Sequence, residues 1–114
     1  MYQVVVYVPE GYLHQVKDAL FHSGAGALGA YSECSWEVKG WGQYRPIEGS
    51  DPFYGDKGLL TRTSEYRLEV VVPRQRVLQA VQAMLKAHPY EVPAYHVCEV
   101  MDMEALQDHL TGAE

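Results

Sequence analysis

Residues 65–100 read EYRLEVVVPRQRVLQAVQAMLKAHPYEVPAYHVCEV, and the order of residue types in this stretch sets the architecture. The valine-rich run from Glu65 to Val72 has the composition of a strand. Pro73 suits the first turn of a helix, and the spacing predicts that helix over Arg74–Ala87, with Val77, Val81, Met84 and Leu85 turned inward. Pro89 stops it, because the residue before a proline is driven out of the helical region. The corner His88-Pro89-Tyr90-Glu91-Val92-Pro93 then leads into another strand, about Ala94 to Val100.

Moving back 64 positions reveals the same design at the N-terminus, MYQVVVYVPEGYLHQVKDALFHSGA, where Tyr2, Val6, Val8, Pro9, Gln15 and Ala19 fall on Tyr66, Val70, Val72, Pro73, Gln79 and Ala83. Tyr2 to Val8 reads as a strand. Gly11 to Phe21 repeats at helical spacing with Leu13, Val16 and Leu20 on one face, and Ser23-Gly24-Ala25-Gly26 stops it. Leu28 to Val38 is expected to be the second strand. Residues 39–64, rich in Gly, Pro and Asp, are expected to be one long irregular connection. Met103 to Leu110 is expected to form a short last helix within a tail of residues 102–114, with Met103, Leu106 and Leu110 on one side.

The result is βαββαβ in a single domain over residues 1–114. With right-handed crossovers this predicts an α+β ferredoxin-like two-layer sandwich, with antiparallel sheet order 4-1-3-2 and both helices on one face. Val4, Val6 and Val8 then superpose on Leu68, Val70 and Val72 as the helix-facing set. Val5, Tyr7 and Val71 go to the other face, which two layers cannot cover, so a homo-oligomer is expected.

Composition narrows the function classes. An apolar fraction of 47% with 21% charged residues belongs to a folded chain. A formal net charge of −6 argues against nucleic acid as a partner, since phosphate binding needs concentrated positive charge. No apolar run approaches the length of a membrane span. Met1 is followed directly by strand pattern, so no signal peptide is expected and the cytoplasm is the default location. Cys34 and Cys98 form no C-x-x-C and are expected to lie near opposite sheet edges as reduced thiols.

Several segments together carry a resemblance to a known family. They are VPEGYLHQVKDALFHSGAGALGAY, the step Cys34-Ser35-Trp36, the run Gly42-Gln43-Tyr44-Arg45-Pro46 with Gly49, Pro52 and Gly55 behind it, and His88 to Tyr95. Over about residues 1–101 the chain resembles the YqfO family, which includes the domain inserted in dinuclear-metal-centre proteins of the NGG-interacting-factor group. The HPYEVP segment is also similar to CutA, the divalent-cation tolerance protein, which shares its fold with the trimeric PII signalling proteins. The resemblance implies a ferredoxin-like regulatory or binding domain and favours a trimer over a dimer. The resemblance implies that the two-metal ligands of the dinuclear-centre proteins lie in other domains than this one, so their activity is not expected of it.

Two groups of residues could ligate a metal. His14, Asp18 and His22 are spaced four apart along one side of the first helix, and imidazole, carboxylate, imidazole can hold zinc or copper with water completing the shell. His88, Glu91 and His96 gather nitrogen and oxygen donors at the corner and the strand after it. A solvated helix face and a packed proline corner account for the same residues. Neither motif requires a cofactor, and none is expected beyond a candidate divalent ion.

In the long connection, Trp41, Tyr44 and Arg45 are the candidate ligand-binding residues. Arg45 is the only cation between Lys39 and Lys57 and so the natural partner of a carboxylate or phosphate on a small molecule. No catalytic residue is assigned, since no nucleophile, acid or base converges in the pattern. The expectation is a self-assembling regulatory or ligand-binding module. The alternative is a divalent metal-binding protein for Zn or Cu related to CutA, and an enzyme of unknown reaction ranks third.

Overall fold

The computed structural model describes residues 1–112. Its elements are β1 (Tyr2–Pro9), α1 (Leu13–His22), β2 (Trp36–Tyr44), β3 (Thr61–Val72), a 3₁₀ turn (Arg74–Arg76), α2 (Val77–Ala87), β4 (Tyr95–Glu99) and α3 (Met103–Thr111). The sheet order is β2-β3-β1-β4 with every pair antiparallel, the expected 4-1-3-2. Among the described residues no helix is long and apolar enough to cross a membrane.

The valine alternation of β1 does what period-two patterning dictates. Val4 pairs with Val70 and Val6 with Leu68 on the helix side of the sheet. These residues join Leu13, Val16 and Leu20 of α1 and Ala80 and Met84 of α2 in one buried core, with Val77, Val81 and Leu85 packed against it. Helix α1 ends where Ser23 and Gly24 donate their amides to the Leu20 and Phe21 carbonyls and the Ser23 hydroxyl bonds to the Ala19 carbonyl. Helix α2 ends at His88, whose ψ of 136° is the extended value expected before Pro89.

Three expectations need correction. The second strand is Trp36–Tyr44, not Leu28–Val38, and the third begins at Thr61. The β2–β3 ladder runs from Trp36↔Glu69 to Tyr44↔Thr61, so both ends of residues 39–64 are strand and the irregular loop shrinks to residues 45–60. Glycines read as breakers are accommodated in the ladder. A Cβ on Gly42 would strike the Glu65 carboxylate, so the residue there must be bare for that side chain to lie over the strand. Leu28 and Tyr31 make only an isolated bridge.

The third correction concerns the sheet face away from the helices. Val5 lies on it as expected, opposite Glu69 and His96, yet it is fully buried within one chain. A polar chain crosses this part of the sheet: Gln3 Nε2 donates to Glu69 Oε1 (2.9 Å), Arg67 Nε to Glu69 Oε2 (3.0 Å), and Arg67 Nη1 to the Tyr7 hydroxyl (3.1 Å). Tyr7 and Val71 remain half-buried on this face as expected, and its largely exposed apolar side chains are Trp36 and Val38 of β2, 58% and 45% exposed. Cys34 and Cys98 are both free thiols. Helix α3 is capped by Asp102, whose carboxylate accepts from the Ala105 amide at 2.9 Å, and ends at Gly112 in the left-handed region. None of its residues is buried, so Met103, Leu106 and Leu110 form an uncovered stripe.

Candidate functional site

At the end of the sheet where the β2–β3 hairpin leaves the body, its loop faces the corner after α2 and encloses a cleft of about 500 Å³. Tyr7 and Glu65 of the central strands form part of the lining. Gly42 to Ile47 and Phe53 come from the hairpin, and Tyr90, Glu91 and Val92 from the corner. The aromatic rings meet edge to face or tilted: Tyr44 and Tyr90 at 6.0 Å between centroids, Phe53 and Tyr54 at 4.6 Å, and Phe53 against Tyr12 of the helix side at 5.4 Å. The loop is held by the Tyr44 hydroxyl on the Tyr54 carbonyl (2.8 Å), Arg45 Nη1 on the Gly58 carbonyl (2.6 Å), and the Asp51 amide on Glu91 Oε1 (3.0 Å).

His88 is the hinge of the corner. It is buried, with Nε2 2.7 Å from the Tyr7 carbonyl and Nδ1 3.1 Å from the Tyr90 amide. An amide can only donate, so Nδ1 accepts and the proton sits on Nε2, which fixes the neutral tautomer. Burial holds the His88 pKa below its ordinary value, opposed by the Tyr7 carbonyl and the Glu65 charge. Tyr90 donates its hydroxyl to Glu65 Oε2 at 2.8 Å. Burial and that carboxylate push the Tyr90 phenol far above the usual range. Tyr44 is raised first by burial and then by the charge of Glu65. Glu65 thus contributes to the titration of three residues around the cleft.

The histidine gives a pH prediction with a definite sign. The folded pKa is depressed, so below about pH 6.5 the unfolded chain takes up a proton that the folded chain does not. Stability is fully present above that pH and is lost as pH falls through the folded pKa. Urea midpoints should fall between pH 8 and pH 5, with a shallower fall for His88→Gln; equal slopes would contradict the assignment.

The candidate residues named from sequence are only partly brought together. Tyr44 and Arg45 do line the cleft, but Trp41 does not. It lies opposite Ser64, 69% exposed, with the Arg62 guanidinium 5.3 Å over its ring. His14, Asp18 and His22 are exposed along α1, and His22 Nδ1 is already 2.8 Å from the Asp18 carbonyl. His88, Glu91 and His96 are dispersed: His88 uses both ring nitrogens, Glu91 holds the hairpin loop, and His96 sits in β4 opposite Val5. Among the described residues no group of three or more His, Cys, Asp or Glu side chains is arranged to hold a metal ion. Phe53, which the long connection carries beside Tyr44 and Arg45, lines the cleft as well, whereas sequence reasoning missed Glu65, Tyr90 and Val92 as lining residues. The available signal was the tyrosine-rich, proline-bounded corner, whose rings needed a partner to cover.

No protein-family model matches the chain. It is 43% identical over 95 residues to a GTP cyclohydrolase 1 type 2 homolog of Halalkalibacterium halodurans, covering 83% of this chain and 26% of that protein. Among solved structures, a Bacillus cereus protein related to NIF3 superposes with a TM-score of 0.76 at 37% identity, over 89% of this chain and 26% of that one. The divalent cation tolerance protein CutA1 of Thermus thermophilus superposes with a TM-score of 0.62 at 20% identity, over 94% of this chain and 93% of that one. The chain spans about a quarter of the length of the curated relatives it matches, whereas CutA1 is matched nearly end to end. The chain thus matches the YqfO-type family of GTP cyclohydrolase 1 type 2 homologues, on a fold it shares with CutA.

Proposed function

We propose that the chain is a self-assembling, small-ligand-binding module whose ligand sits between the β2–β3 hairpin and the corner after α2. The observation that carries this reading is the cleft itself. Its volume of about 500 Å³ falls in the usual range for ligand sites, and it combines aromatic walls with a few placed polar groups. Both walls are anchored by hydrogen bonds rather than left as free loops. The relatives' name speaks of a reaction on GTP. This chain covers 26% of such a protein, and we assign it a binding part rather than a catalytic one.

Self-assembly is supported by the uncovered Trp36 and Val38 and by the likeness to CutA. Our reading is a trimer, so light scattering should give three times 12.9 kDa; a monomer at micromolar concentration would end it. The cleft is tested by screening metabolites by thermal shift against the wild type and Val92→Trp. Val92 lines the cleft and is 80% exposed, so tryptophan there fills space without disturbing the core. Hits should stabilise the wild type and lose that effect in the variant. Equal stabilisation of both would place the ligand elsewhere.

A second reading, divalent-cation binding, is favoured by the name of the CutA1 structure. In this chain it would act through His14 or His22 of α1, with water or a second chain completing the shell. Elemental analysis of protein purified without a histidine tag separates the two readings: stoichiometric Zn or Cu favours the metal.

A further inference from the structure

We infer that the ligand of this cleft is a small organic cation, a protonated amine or quaternary ammonium group carried on an apolar body. The inference rests on the cleft reading above and adds the sign of the charge. Two carboxylates, Glu65 and Glu91, line the cleft against one guanidinium, Arg45. Arg45 already donates Nη1 to the Gly58 carbonyl, which pins the hairpin loop. The ion pairs among the described residues are Lys17–Glu37, Lys39–Glu10 and Arg67–Glu69, so neither Glu65 nor Glu91 is neutralised by a lysine or arginine.

Glu65 is also held in place rather than free to swing into solvent. The Tyr90 hydroxyl bonds to its Oε2, and its carboxylate lies over Gly42, where any side chain would collide with it. Beside it stand the rings of Tyr44, Phe53 and Tyr90, whose faces carry negative potential. A fixed carboxylate among aromatic rings in a partly desolvated cleft attracts a weakly hydrated cation. It repels a carboxylate or phosphate, which would have to face two negative groups. This reverses the expectation that Arg45 makes an anion site.

Benzyltrimethylammonium and benzenesulfonate, similar in ring and opposite in charge, are suitable probes. Each is titrated into the ¹⁵N-labelled chain while the amides of Gly42, Gln43, Tyr90 and Val92 are followed. The cation should shift these amides and the sulfonate should not. Glu65→Gln, which keeps the acceptor for Tyr90 but removes the charge, should weaken cation binding by about tenfold, or roughly 1.4 kcal/mol. Glu91→Gln serves as a second variant if Glu65→Gln is unstable, with weakening in the same direction. Binding of the sulfonate at least as tightly as the cation, in the same amides, would overturn the inference and leave the cleft reading standing. Cation binding untouched by both substitutions would also overturn it. Absence of any shift with either probe overturns the cation assignment, and the metabolite screen against Val92→Trp then decides separately whether the cleft binds anything.

Discussion

Leu68→Ala should destabilise the chain by about 2–5 kcal/mol, the range for removing a buried leucine. Leu68 lies on β3 opposite Val6, fully buried beneath both helices in the one core the described residues form. Truncation removes apolar contact and leaves a cavity that strand and helices, fixed by hydrogen bonding, cannot close. The matched control is Leu78→Ala on the outer side of α2, 67% exposed, which should change stability by no more than about 0.5 kcal/mol. Denaturant unfolding of both variants checks the pair. Similar losses for the two would mean that the core is not where the sheet register puts it.

Gly26→Ala should cost nearly as much, on the order of 2–5 kcal/mol, although it adds a single methyl group. Gly26 has φ of 82°, a conformation that costs an L-residue roughly 1–2 kcal/mol. A Cβ there would lie 2.9 Å from the Cys34 carbonyl oxygen and 3.0 Å from the Phe21 ring, and overpacking of that kind costs about 1–3 kcal/mol more. The position cannot relax freely. Its amide donates to the Val71 carbonyl at 2.7 Å and its carbonyl accepts from the Cys34 amide at 2.9 Å, tying the segment before β2 to the sheet. A loss below about 0.5 kcal/mol, the scale of an ordinary surface change, would show that this tie is not part of the folded framework.

These two sites also mark what could be read from the amino acids and what could not. Leu68 and its valine neighbours follow period-two alternation, and the 64-residue repeat doubles that signal, so sheet order, helix placement and core were legible. Strand β2 was not. Gly40 and Gly42 suppress its propensity, and its burial pattern shows no clean alternation because both of its faces are largely open. Only pairing with β3 along nine residue pairs makes it a strand, a case of tertiary context overriding local preference.

The site failed for a related reason. Glu65 reads as the polar start of a strand, and nothing local says that a glycine from the other arm of the hairpin will make room for its carboxylate. Trp41 and Tyr44 looked equivalent in sequence, but the strand sends Tyr44 into the cleft and Trp41 away from it. His88 was read correctly as the end of a helix before a proline. Its second part, holding the corner to β1 through the Tyr7 carbonyl, depends on a contact 81 residues away.

The most direct test of the central claim, that the hairpin and the corner together form a ligand site, is a crystal structure of the chain grown with a hit from the metabolite screen. Our account predicts density for the ligand in the cleft lined by Phe53, Tyr90 and Val92, with its polar group toward Glu65 and the hydrogen bonds from Tyr90 to Glu65 and from Arg45 to Gly58 retained. Density along α1 at His14 and His22, with the cleft closed by the hairpin or filled by a neighbouring chain, would contradict it.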